Sequence, residues 1–148
     1  MINFKVTLLL AAVVLTASFG YAQNAKDSTV SREKPIPEPW VLVGNIPGGG
    51  ISKDSLLENP FLKVAMPSDF DGEIEWNVLS YKVVFVDYTS GNGVESPPIT
   101  VKEARFSDEV ISKIQSAPSG TMVEFSEIRI QSIAGTRLIV RPIMLRIE

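Results

Sequence analysis

Asp69, Asp71, Glu73 and Glu75 stand close together in the stretch Ser-Asp-Phe-Asp-Gly-Glu-Ile-Glu, a spacing that brings carboxylates near one another. Paired carboxylates are what a glycosidase uses, one as acid and one as nucleophile or base. Their hard oxygens also suit calcium, although the spacing is not that of an EF-hand loop. No second cluster completes an active site, so these residues are read as a solvated turn that enters a strand. Histidine is absent, which excludes a Ser-His triad, a histidine general base and a histidine metal site. Cysteine is absent too, which removes disulfides and thiolate chemistry. The expectation is a non-enzyme with no catalytic residue, no bound cofactor and no metal site.

Three further groups of residues could bind a ligand. Gly48-Gly49-Gly50 is followed by Ile51-Ser52-Lys53, whereas a phosphate-binding loop needs Lys and then Ser or Thr directly after its last glycine. Trp40, Trp76 and Tyr81 could form an aromatic platform for a sugar, but aromatics set in alternating strands more often fill a core, the reading preferred for Trp76 and Tyr81. Arg129, Arg137, Arg141 and Arg146 cluster near the C-terminus, and arginine is enriched at protein interfaces. These four arginines are the preferred partner-binding patch; a solvated outer face is the alternative.

The chain's 14 basic and 17 acidic residues are interspersed along its 148 residues. Nucleic-acid binders draw much of their affinity from a basic excess or a basic face, so nucleic acid is an unexpected partner. At the N-terminus, Lys5 precedes an apolar run from Val6 to Phe19 that closes in Gly20-Tyr21-Ala22-Gln23. That order is a secretory signal peptide, residues 1–22, with cleavage after Ala22. The run is shorter than the roughly 20 residues needed to span a bilayer, so no stable membrane insertion is expected after cleavage. A lipoprotein anchor would require a cysteine at the cut. Residues 23–39 are polar and then alternate Pro35, Pro37 and Pro39, as an extended tether does. Residues 40–148 are long enough for one domain with its own core.

Within that domain the patterning is mainly β. Strands are expected over Trp40–Val43, Phe61–Met66, Ile74–Tyr88, Met122–Ile133 and Arg137–Ile147, with Gly44–Gly50 as a turn or irregular loop. Ile74–Tyr88 carries apolar residues on both parities, Trp76, Val78, Val84 and Val86 against Leu79, Tyr81, Val83 and Phe85, which predicts a strand covered on both faces. Pro97-Pro98 confines Glu95–Val101 to an edge or loop. Ser52 caps a short helix ended by Asn59-Pro60, and Ser107 caps a second, stopped by Ala117-Pro118-Ser119-Gly120. In Met122–Ile133 the apolar phase moves from Val123 and Phe125 to Ile128 and Ile130, which implies a β-bulge near Ser126 and Glu127. Pro142 interrupts the last strand in the same way, and Ala134-Gly135-Thr136 makes the hairpin turn.

Several blocks carry a family resemblance. Gly49-Gly50-Ile51-Ser52-Lys53, then Phe70-Asp71 followed by Trp76-Asn77-Val78-Leu79-Ser80-Tyr81, then Gly120-Thr-Met-Val-Glu-Phe-Ser-Glu-Ile-Arg-Ile with its closing hairpin, resemble the C-terminal domain of the gliding motility protein GldM, from about Val41 to Ile147. The resemblance implies an immunoglobulin-like β-sandwich, a periplasmic setting in Bacteroidetes, and protein partners in the type IX secretion and gliding apparatus. The long family members also carry an inner-membrane helix and preceding domains, where this sequence has a signal peptide and tether. The expected role is therefore that of a periplasmic protein-interaction module or accessory subunit, with an exported carbohydrate or surface-ligand binder as the alternative. Export of the full chain should yield a mature N-terminus at Gln23, read by intact mass and N-terminal sequencing; an uncut N-terminus would refute the signal-peptide assignment.

Overall fold

Short runs of alternating apolar residues form most of the domain's secondary structure, and two serine-capped segments form helices. A computed structural model of the chain describes residues 37–68, 70, 74–89 and 91–148. The expected signal peptide, residues 23–36 of the expected tether, and Asp69, Asp71 and Glu73 lie outside the described residues. In chain order the elements are β1 (Trp40–Val43), β2 (Gly49–Ile51), α1 (Lys53–Glu58), β3 (Leu62–Ala65), β4 (Trp76–Asp87), β5 (Val94–Glu95), β6 (Ile99–Val101), α2 (Asp108–Ser116), β7 (Met122–Ser132), β8 (Arg137–Val140) and β9 (Ile143–Ile147). Among the described residues the mainly β class with two short helices is thus the one observed.

Both helices start where the sequence places a cap. The Ser52 hydroxyl accepts from the Ser55 N–H at 3.2 Å, and the Ser107 hydroxyl accepts from the Val110 N–H at 3.4 Å. Such a cap is worth about 1 kcal/mol, and Asp108 and Glu109 add a favourable interaction with the positive end of α2. Leu56 of α1 and Val110 and Ile114 of α2 are buried.

Two sheets form. β1 and β3 pair antiparallel as a ribbon, and the larger sheet runs β2–β9–β7–β4–β5, with β6 also on β4 and β8 also on β7. The glycine run departs from expectation: Gly49–Ile51 is not loop but a short strand, parallel to Leu145–Ile147. Its parallel register is continued by the Glu148 N–H, which donates to the Ile51 carbonyl at 3.0 Å. The expected last strand divides at Pro142 into β8 and β9, both paired with β7.

The β4–β7 ladder contains two opposed irregularities. From Val78 to Ser80 β4 advances two residues while β7 moves one, Ile130 to Arg129. From Ser80 to Lys82 β4 again advances two while β7 moves three, Arg129 to Ser126. Leu79 is therefore the extra residue on β4 and Glu127 the extra residue on β7, the latter at φ 48°. Each extra residue switches the parity that faces inward. Trp76 and Val78 pack on the core before Leu79, and Tyr81, Val83 and Phe85 do so after it. On β7, Val123 and Phe125 face in, then Ile128 and Ile130. The bulge expected at Ser126–Glu127 is present. The two-faced burial expected for β4 is not, because the bulge at Leu79 puts most of its apolar residues on one side, and Val84 and Val86 on the other stay only half-buried.

The inner face of the large sheet packs in one core with Val41 and Val43 of β1, Leu62 of β3, Leu56, Val110 and Ile114. Phe125 lies at its centre, stacked on Phe106 at 5.5 Å between ring centroids and tilted against Tyr81 at 6.1 Å. Burying a side chain of that size contributes about 2–3 kcal/mol. The Tyr81 hydroxyl donates to the Arg105 carbonyl at 3.2 Å. Burial, aided by the Glu103 charge, holds the phenol well above the usual tyrosine range.

The folded state therefore keeps the Tyr81 proton more tightly than the unfolded chain does. Its contribution to stability is complete below about pH 10 and falls as pH rises beyond that. Tyr81→Phe should cost about 1 kcal/mol at neutral pH and flatten the alkaline decline, measured as thermal midpoints from pH 7 to 11. At the bulge, a left-handed backbone costs an ordinary residue about 1–2 kcal/mol and a β-branched one more. Glu127→Gly should stay within about 1 kcal/mol of the parent, whereas Glu127→Val should lose about 2 kcal/mol; urea unfolding measures both.

Candidate interaction surface

The last hairpin ends in a sheet edge. β9 is covered on its outer side by β2, but β8, which precedes it across Arg141-Pro142, pairs only with β7 among the described strands. At the hairpin turn the Ser132 N–H donates to the Thr136 carbonyl at 2.9 Å. In an antiparallel ladder, exchanging and non-exchanging pairs alternate. Ile130 with Leu138 and Ile128 with Val140 are then the hydrogen-bonded pairs, and Arg137 and Ile139 turn their N–H and C=O groups to the open side. Unpaired groups of this kind are a template for another strand.

The side chains along this edge are apolar where solvent would favour polar ones. Ile139 is 68% exposed and Leu138 37%, and Ile133 at the hairpin turn is 71% exposed. Leu79, pushed out by its bulge, lies with Ser80, Arg129, Arg137, Leu138 and Ile139 around a shallow hollow of about 500 Å³. The Arg137 Nε–H donates to the Gln131 side-chain oxygen at 3.4 Å across the hairpin.

Of the four arginines in the expected partner patch, the fold brings Arg129 and Arg137 together on the outer face of β7 and β8. Arg146 also points outward but sits on β9 opposite Met122, roughly 20 Å along the sheet at about 3.3 Å per residue. Arg141 lies between β8 and β9, where its guanidinium reaches the Glu38 carboxylate at 3.5 Å. The neighbouring acid Glu127 is held by Lys82 at 2.6 Å, and that hydrogen bond lowers its pKa. The Arg129 charge acts on Glu127 too, but among the described residues no salt bridge within 4 Å engages Arg129 or Arg137, and Lys82, Arg129 and Arg137 against Glu127 leave positive charge predominant beside the edge.

On the inner side of the same edge, Pro37, Glu38 and Pro39 form a groove of about 410 Å³ with Ile74, Trp76, Ser132, Ala134, Thr136 and Leu138. The Trp76 Nε1–H is buried and has no acceptor among the described residues. Tyr81 is in the core, Trp76 lines this groove, and Trp40 is 52% exposed beside Arg141 and Pro142. The three aromatics do not share a face. Of the acidic stretch only Glu75 is described; it is exposed, and its carbonyl accepts from the Ile133 N–H at 3.2 Å. Among the described residues no three acids gather as metal ligands.

Sequence reasoning found the arginines but missed Leu79, Leu138 and Ile139. A signal for the last two was present: Arg137-Leu-Ile-Val-Arg-Pro is apolar on both parities in a segment that ends at a proline.

The family model described as the GldM C-terminal domain matches residues 34–148. No curated protein matches the chain.

Proposed function

The chain belongs to the GldM C-terminal domain family, whose theme is gliding and type IX secretion, and from that premise we propose that it is a non-enzymatic protein-interaction module of that apparatus, exported to the periplasm. The observation that supports this reading best is the unpaired β8 edge, whose Ile139 and Leu138 stay exposed beside Arg129 and Arg137. An apolar centre rimmed by arginine is the composition of protein interfaces. A sequence with neither histidine nor cysteine offers few catalytic groups, which fits a binding role. Among the described residues no helix is long and apolar enough to cross a membrane. Delivery through the N-terminal leader and recognition of an apparatus component complete the proposal.

The test is affinity capture with the tagged chain expressed in its own host. Protein components of the secretion apparatus should co-purify and be lost on charge reversal at Arg129 and Arg137. Recovery of no protein, together with specific signals on a glycan array, would replace this reading with a carbohydrate-binding one.

A further inference from the structure

Resting on that reading and going beyond it, we infer that the open side of β8 takes up an extended segment of the partner by strand addition, with a carboxylate set against Arg137 and apolar residues against Leu138 and Ile139. Three features of the edge define such a segment. The outward N–H and C=O groups of Arg137 and Ile139 supply main-chain hydrogen bonds at alternate positions. Side chains on an added strand alternate between the two faces. The residue opposite Leu138 therefore points inward, to the apolar groove of Pro37, Pro39, Ile74 and Trp76. The residues on either side of it point outward, one to Ile139 and the hollow beside Leu79, the other to Arg137.

Charge selects among possible occupants. Arg129 lies opposite Ile139 on β7, so two guanidiniums without ion pairs among the described residues flank the outward positions. The acids nearby are Glu38, paired with Arg141, Glu127, paired with Lys82 and also within the field of Arg129, and Glu75 by the hairpin turn, so Arg137 is the guanidinium with the least local compensation. An acidic strand finds complementary charge. A second copy of this chain does not: in an antiparallel pair opposed residues share a face, so self-pairing centred on Ile139 places Arg137 of each copy opposite Arg141 of the other. Like charges along a short ladder are destabilising, and edge charges of this kind protect against self-association.

The exported chain, purified from the periplasm, should bind a fluorescein-labelled β-prone peptide with a central Glu-Val-Val-Val-Glu, which sets a carboxylate opposite Arg137 in either strand direction, and bind its Lys-Val-Val-Val-Lys counterpart at least about tenfold more weakly, by fluorescence anisotropy. Added salt should weaken the first complex. Hydrogen exchange should slow at the amides of Arg137 and Ile139 when the peptide is present. Ile139→Pro removes an N–H that faces away from β7, a position where an edge strand tolerates proline; it and Arg137→Glu should each weaken binding about tenfold or more. If Ile139→Pro lowers the thermal midpoint, Arg137→Glu and the exchange measurement decide alone. Equal binding of the two peptides, no binding of either, or unchanged exchange at Arg137 and Ile139 would overturn the inference. So would a concentration-dependent dimer that Arg137→Glu strengthens. A partner captured equally by the parent and by Arg137→Glu would refute strand addition while leaving the interaction-module reading intact; a parent that captures no protein would refute that reading itself.

Discussion

The ladder between β4 and β7 is the constraint on which the rest of the domain depends. Each strand carries apolar residues on both parities, and in a regular ladder half of them would face water. One extra residue in each strand, Leu79 on β4 and Glu127 on β7, cancels in the overall register but shifts the phase on both. The inner face thereby gathers Trp76, Val78, Tyr81, Val83 and Phe85 from one strand and Val123, Phe125, Ile128 and Ile130 from the other. Everything opposite that face, the β1–β3 ribbon, both helices and Phe106, packs on a surface made continuous by two local defects. The left-handed conformation of Glu127 is the local cost; it is offset by burial of several large side chains.

The same device shapes the exterior. A bulged residue belongs to neither face cleanly, and Leu79 is left partly exposed next to the β7–β8 hairpin. Pro142, which cannot donate to a ladder, divides the last strand so that β9 is flanked by β2 while β8 is not. Edges are usually shortened, charged or covered. This one is short and bordered by Arg137 and Arg141, yet it keeps Leu138 and Ile139 in solvent. The arginines discourage pairing with like-charged strands without burying the hydrophobic pair.

The proline-rich approach to the domain has a part in this surface. Pro39 is buried and Glu38 reaches Arg141, so Pro37–Pro39 lies against the domain and forms one wall of the groove under Leu138. Alternate prolines suit that task, since they hold an extended backbone and ask few hydrogen bonds of their neighbours. The buried Trp76 N–H, lacking an acceptor among the described residues, faces the same end of the sheet.

Much of the fold was legible from local chemistry alone. Serine caps announced both helices, Pro97-Pro98 and Pro142 marked interruptions, and the phase change from Phe125 to Ile128 disclosed the bulge at Glu127, because each of these signals is carried by residues adjacent in the chain. The missing histidine and cysteine narrowed the chemistry on the same terms. Tertiary structure decided what depends on residues far apart in sequence. The bulge at Leu79 is visible only from its register against β7, the glycine run is a strand only because β9 lies beside it, and the four arginines separate because β8 and β9 take different neighbours. Openness of the β8 edge is likewise a property of the whole sheet: a sequence specifies which backbone groups can pair, and only the arrangement of all the strands shows which of them are left without a partner.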